Sequence, residues 1–168
     1  MKLIKVIGIL GFFICLVIMY KTNHGISGIQ AFDRSFRLLD MRFHYSSETV
    51  RKTFEQINKG GRAAYQKFLL LDFVFIVCFL ITMAAVSEAV PVSPQLRTFL
   101  YTLCVLRALL DVFENTLLLH MLGQYPVFSK TSATLCSWFT TFKFIMLYLW
   151  LLLIATNTVI NKIFSLHV

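Results

Sequence analysis

Arg107, Asp111, Glu114 and Asn115 lie close together in a stretch otherwise built of Leu, Ala, Val and Phe. In a helix, at about 100° per residue, all four fall in one narrow sector that Leu118 continues. Charged side chains at membrane depth cost roughly 2.5–3.5 kcal/mol each on insertion scales, so this sector must face other helices and not lipid. Lys143, in the next apolar stretch, supplies a cation to meet it. Glu114 stands eight residues before Leu122 and Lys143 eight after Leu135. Both therefore sit about 12 Å from their shared hairpin end, placed to pair. Asp72, on the preceding stretch, is shallower by about 6 Å, within reach of a long lysine or a water chain. Thr140, one turn before Lys143, can join the group or bond its own backbone. The expected constellation is Asp72, Glu114, Asn115 and Lys143, extended deeper by Asp111 and Arg107, whose spacing of four permits an ion pair along the helix.

Such a cluster admits three kinds of work. Carboxyl groups held out of water can accept and return protons. In an intramembrane enzyme acting on a lipid-like substrate, Asp111 or Glu114 would transfer protons and Asp72 would assist. Lys143 and Asn115 would then orient a polar headgroup. Paired carboxylates with a lysine at depth also suit an ion- or proton-coupled transporter. Against transport, no span is broken by Gly or Pro, no inverted repeat is evident, and a bundle this small needs an oligomer to form a pathway. In the third reading the charges neutralise one another and hold the helices in register within a non-catalytic ligand-binding or assembly module. That reading asks least of the sequence and leads. An aspartyl peptidase is disfavoured, because the residues that flank the lipoprotein signal peptidase aspartates are missing.

No metal or cofactor is expected. Cys15, Cys78, Cys104 and Cys136 fall one per apolar stretch, without the close spacing of a redox pair or zinc site. His24, His44 and His167 are isolated, and His120 points away from Asp111 near the surface. Trp138 and Trp150 are expected to pack or sit at an interface.

The elements that must position these residues follow from composition. The chain has 168 residues, 58% of them hydrophobic and only 14% charged, with a mean hydropathy of +0.74, too apolar for a soluble domain. About 20 apolar residues span a hydrocarbon core. Four stretches approach or reach this, near residues 4–20, 68–89, 98–122 and 135–156. The expected fold is an all-α integral membrane four-helix bundle forming one domain over 1–168, in a plasma membrane or bacterial inner membrane. Lys2 and Lys5 ahead of the first stretch resemble the start of a signal peptide. The run ends in Val17, Ile18, Met19, Tyr20 and Lys21, without the small residues a signal peptidase needs, so a retained anchor is expected. Pro91 with Pro94, and Gly123 with Pro126 and Ser129, mark tight connections that make the last three spans sequential antiparallel neighbours.

Residues 21–67 carry nine of the sixteen basic residues against four acids. The pattern suits anionic lipid headgroups over residues 29–67, whereas no nucleic-acid-binding motif is present. Ile29, Phe32, Phe36, Leu39 and Phe43 recur in steps of three and four with charges between them. They predict an amphipathic helix over 29–44 that lies in the headgroup plane or caps the bundle. A second helix is expected after Ser46 or Ser47, carrying Val50, Phe54 and Ile57 inward and stopping at Gly60–Gly61. Arg62, Tyr65 and Lys67 should anchor the next span at the interface. The excess of basic residues puts this loop in the cytoplasm, although Lys2 and Lys5 pull the other way.

Several strings carry a resemblance: Tyr45-Ser46-Ser47-Glu48, Gly60-Gly61-Arg62-Ala63-Ala64-Tyr65, Leu71-Asp72-Phe73, Asp111-Val112-Phe113-Glu114-Asn115, Gln124-Tyr125-Pro126 and Phe139-Thr140-Thr141-Phe142-Lys143. Together they resemble a family of small, uncharacterised four-span membrane proteins, mainly bacterial, over about two-thirds of the chain. The resemblance implies an architecture, with Asp72, Asp111, Glu114, Asn115 and Lys143 in one shared constellation, and implies no particular chemistry.

Overall fold

The computed structural model describes residues 2–166, with side chains through residue 163; His167 lies outside the described residues. The chain forms α1 (Lys2–Lys21), α2 (Ile26–Gln30), a 3₁₀ turn (Leu39–Met41), α3 (Ser47–Gln56), α4 (Asn58–Ala89), α5 (Pro94–Gln124) and α6 (Lys130–Leu166), with no strand among the described residues. The long helices pack in chain order, α1 on α4, α4 on α5 and α5 on α6. α1 and α6 make little direct contact, and residues of both line one cavity between them.

The two ends of the molecule are tied differently. At one end Lys5 Nζ meets Glu88 Oε2 at 2.5 Å, and Asn161 Nδ2 donates to the Pro91 carbonyl at 2.9 Å. The N-terminus, the α4–α5 connection and the distal part of α6 therefore gather there. At the other end Arg51 Nη1 donates to the Pro126 carbonyl at 3.1 Å and the Tyr45 N–H to Ser137 Oγ at 2.8 Å, joining the long loop to the α5–α6 connection.

Local chemistry explains the helix boundaries. Ser93 Oγ accepts from the Leu96 N–H and Pro94 fills the first turn of α5, where a missing N–H costs nothing. Ser46 likewise caps α3 through the Thr49 N–H, and Val50, Phe54 and Ile57 are fully buried. On α1, Gly8 lies against the Ile81 side chain and Gly11 against Cys78 Sγ, where a Cβ would have no room. These small residues allow a close approach of α1 to α4.

α1 running into α2, α4 and α6 are each long and apolar enough to cross a membrane. Their outer faces stay unburied, as at Ile7, Leu10, Val74, Val77, Leu151 and Leu152, all exposed. α5 differs from these by carrying Arg107, Asp111 and Glu114 together.

The loop departs from expectation. Residues 29–44 form no amphipathic helix; after α2 the chain runs through turns and a single 3₁₀ turn. The Asp33 carboxylate takes the Ser35 N–H at 2.9 Å and its hydroxyl at 2.7 Å, a local turn that competes with helix. Gln30 Nε2 holds the Phe36 carbonyl at 3.2 Å. Phe36, Leu38, Leu39 and Asp40 are buried in near succession, a pattern no single helix face provides. Ile29, Phe36 and Leu39 of the apolar stripe do turn inward, while Phe32 and Phe43 remain exposed. The segment thus packs against the long helices as folded loop. α3 also ends earlier than Gly60–Gly61. The left-handed residue is Asn58, at φ 51°, and its Oδ1 accepts from the Gly60 N–H at 2.9 Å. Both glycines lie inside α4, Gly60 against the Phe32 ring.

Candidate functional site

α5 carries the polar face. Arg107, Asp111, Glu114 and Asn115 are each 6% exposed or less, whereas Leu106, Leu109 and Phe113 on the other side are more than 40% exposed. Across from that face, α6 brings Lys143 and Thr140, and α4 brings Asp72, all buried. Lys143 Nζ stands 2.7 Å from Asp111 Oδ1 and 2.6 Å from Glu114 Oε2. Arg107 Nη2 reaches Asp111 Oδ2 at 2.5 Å along the same helix. The Thr140 hydroxyl is 2.5 Å from Glu114 Oε1 and 3.0 Å from the Cys136 carbonyl, so it touches both the cluster and its own helix backbone.

Asp72 takes a different partner. It accepts from Asn115 Nδ2 at 2.6 Å. The seven residues expected to converge therefore do so in two adjoining groups. One is an ionic knot of Arg107, Asp111, Lys143 and Glu114 with Thr140; the other is the Asp72–Asn115 pair. Asn115, one position beyond Glu114, is turned about 100° from it around α5, which brings its amide to Asp72 on α4.

Asp40 and Tyr45 of the loop and Tyr65 of α4 join the surroundings of the cluster; Tyr65, expected at the membrane interface, is fully buried instead. Asp40 is only 5% exposed, and Tyr65 Oη lies 3.5 Å from its Oδ1 while accepting from the Leu39 N–H at 3.4 Å. Burial raises the Asp40 carboxyl above the ordinary carboxylate range, against the downward pull of the Lys143 ammonium. Tyr45 Oη donates to Cys136 Sγ at 3.1 Å and lies 3.5 Å from Thr140 Oγ1. Burial, with Cys136 and Glu114 nearby, holds that phenol above its usual range. A signal for Asp40 was available, since it follows Leu38–Leu39 and precedes Met41. The helical wheel assigned it to the polar side instead.

A cavity of about 160 Å³ opens beside these groups. Asp40, Asp72, Arg107, Asp111 and Lys143 line part of it; Leu16, Met19, Phe68, Phe75 and Leu147 are among its apolar residues. It draws on α1, the loop, α4, α5 and α6, with Leu16, Met19 and Tyr20 of α1 and Lys143, Phe144 and Leu147 of α6 all in its lining. An apolar cavity of roughly 150 Å³ holds a benzene-sized group. Arg107 Nη1 is buried without a hydrogen-bond partner, its guanidinium 4.3 Å from the centre of the Phe79 ring.

His120, Trp138 and Trp150 stay apart from this centre, whereas Cys136 touches it through Tyr45, Thr140 and the Glu114 carbonyl. His120 is exposed on the outer side of α5. Trp150 Nε1 donates to Ser87 Oγ at 2.9 Å in a second core cluster, and Trp138 is partly exposed beside His44. The four cysteines are free thiols, and among the described residues no three His, Cys, Asp or Glu side chains converge as metal ligands. No known protein family, curated protein or solved structure matches this chain.

Proposed function

We propose that the chain is a membrane protein crossing the bilayer four times, through α1, α4, α5 and α6, and that it binds a lipid-like amphiphile as a non-catalytic module. The observation that carries this reading is the cavity lined by α1 and α6, where buried charge and aromatic or aliphatic side chains share one space. In a bilayer an opening between these helices would face acyl chains, so a ligand could enter sideways with its polar end against the cluster. α5, at 31 residues, is about 46 Å long and exceeds a hydrocarbon core of about 30 Å. Its charges are paired within the bundle and its outer face is apolar, which makes a crossing tolerable.

The ion pairs favour binding over acid–base catalysis. Asp111 and Glu114 are held by Arg107, Lys143 and Thr140, an arrangement suited to fixing helix register. The basic loop residues, among them Arg51 and Lys52 on the exposed side of α3, suit contact with anionic headgroups. The reading is tested by native mass spectrometry of protein released from nanodiscs. One retained amphiphile per chain is expected, lost when Phe75→Trp fills the cavity. A chain that retains nothing, and that takes up no added amphiphile, overturns it.

A further inference from the structure

The proposed site has an uneven charge count. Four buried carboxyl groups, Asp40, Asp72, Asp111 and Glu114, face two buried cations, Arg107 and Lys143. Both cations are committed to Asp111 and Glu114. In direct contact, Asp72 has the neutral Asn115 amide and Asp40 a long contact with the Tyr65 hydroxyl, while Lys143 acts on Asp40 only from a distance. Both carboxyls line the cavity. A buried carboxylate without a cation is costly, so a site of this composition gains by receiving positive charge.

Aromatic residues of the lining suit the same ligand, while Arg107 and Lys143, also in the lining, are held by Asp111 and Glu114. Phe68 and Phe75 border the cavity beside Asp72, and aromatic faces attract alkylammonium groups. Arg107, whose Nη1 is buried without a partner, is also among the lining residues, and that N–H group would be free to donate to an acceptor next to the charged nitrogen, such as a hydroxyl or ester oxygen. We infer that the cavity selects an amphiphile with a protonated amine headgroup, whose N–H groups are taken by Asp72 and Asp40 while its first carbons lie among the aromatic rings. This inference rests on the amphiphile-binding reading and gives it a chemical class. The amine could belong to a bilayer aminolipid or to a free long-chain amine.

Three probes of equal chain length separate the headgroups: dodecylamine, dodecanol and dodecanoate, titrated against the full chain in nanodiscs of phosphatidylcholine. Dodecylamine should bind about tenfold tighter than either of the others. Asp72→Asn and Asp40→Asn should each bring amine affinity down toward that of the alcohol while leaving dodecanol binding intact, which also reports that the cavity still folds. Equal binding of all three probes overturns the amine inference yet leaves amphiphile binding standing; binding of none overturns both. Repeating the titration in phosphatidylethanolamine nanodiscs identifies the source. Weakened dodecylamine binding there means the bilayer lipid competes for the site, and unchanged binding points to the free amine.

Discussion

At the scale of single residues, the charge count makes an asymmetric prediction. Lys143 serves Asp111 and Glu114 at once, at 2.7 and 2.6 Å. Lys143→Met would leave Glu114 without a cation and Asp111 with Arg107 alone, in a site already rich in acid. Removing one partner of a buried ion pair costs about 3–5 kcal/mol. Glu114→Gln removes a negative charge from the same excess, keeps an oxygen for Thr140 and leaves Lys143 on Asp111. Its loss should stay below about 2 kcal/mol. Thermal unfolding in detergent should therefore show a large fall in Tm for Lys143→Met and a small one for Glu114→Gln. Equal falls would mean that the knot is not held together by its cation.

At the scale of elements, the long helices were legible and the loop between the first two was not, for a physical reason. Apolar runs with few polar side chains satisfy their backbone most readily as helix, so the stretches near 4–20, 68–89, 98–122 and 135–156 lie within α1, α4, α5 and α6. The sector containing Arg107, Asp111, Glu114 and Asn115 was equally readable, because 3.6-residue periodicity alone fixes it. Residues 29–44 had helical spacing too, but Asp33 folds back on Ser35, and burial of Leu38, Leu39 and Asp40 depends on side chains from α4 and α6 that no local pattern reveals. The α3–α4 junction supplies a test of the backbone. Asn58 stands at φ 51°, where a β-branched side chain clashes and glycine does not. Asn58→Val should destabilise the protein by about 1–2 kcal/mol, while Asn58→Gly stays near wild type. Ser46→Ala, which removes the α3 cap, should cost about 1 kcal/mol and speed amide exchange at Thr49. If Asn58→Val unfolded at the wild-type temperature, the left-handed junction would be wrong.

At the scale of the whole molecule, the ties at each end prescribe a topology. Lys5 with Glu88 and Asn161 with Pro91 gather one end, while Arg51 with Pro126 and Tyr45 with Ser137 gather the other. Four crossings would put Lys2 and Gln95 on one face of the membrane and Lys52 and Ser129 on the opposite face; all four positions are exposed. Single cysteines at these sites can be challenged with a membrane-impermeant maleimide in sealed vesicles of known orientation. Lys2→Cys and Gln95→Cys should react together, and Lys52→Cys and Ser129→Cys only from the other face. α5 is the helix on which the result turns, because it alone combines sufficient length with three charged residues in its core. Were α5 to lie outside the bilayer, Gln95→Cys and Ser129→Cys would react from the same face. Separate labelling of that pair would mean that the buried ion pairs, and not a scarcity of charge, are what allow this helix to cross.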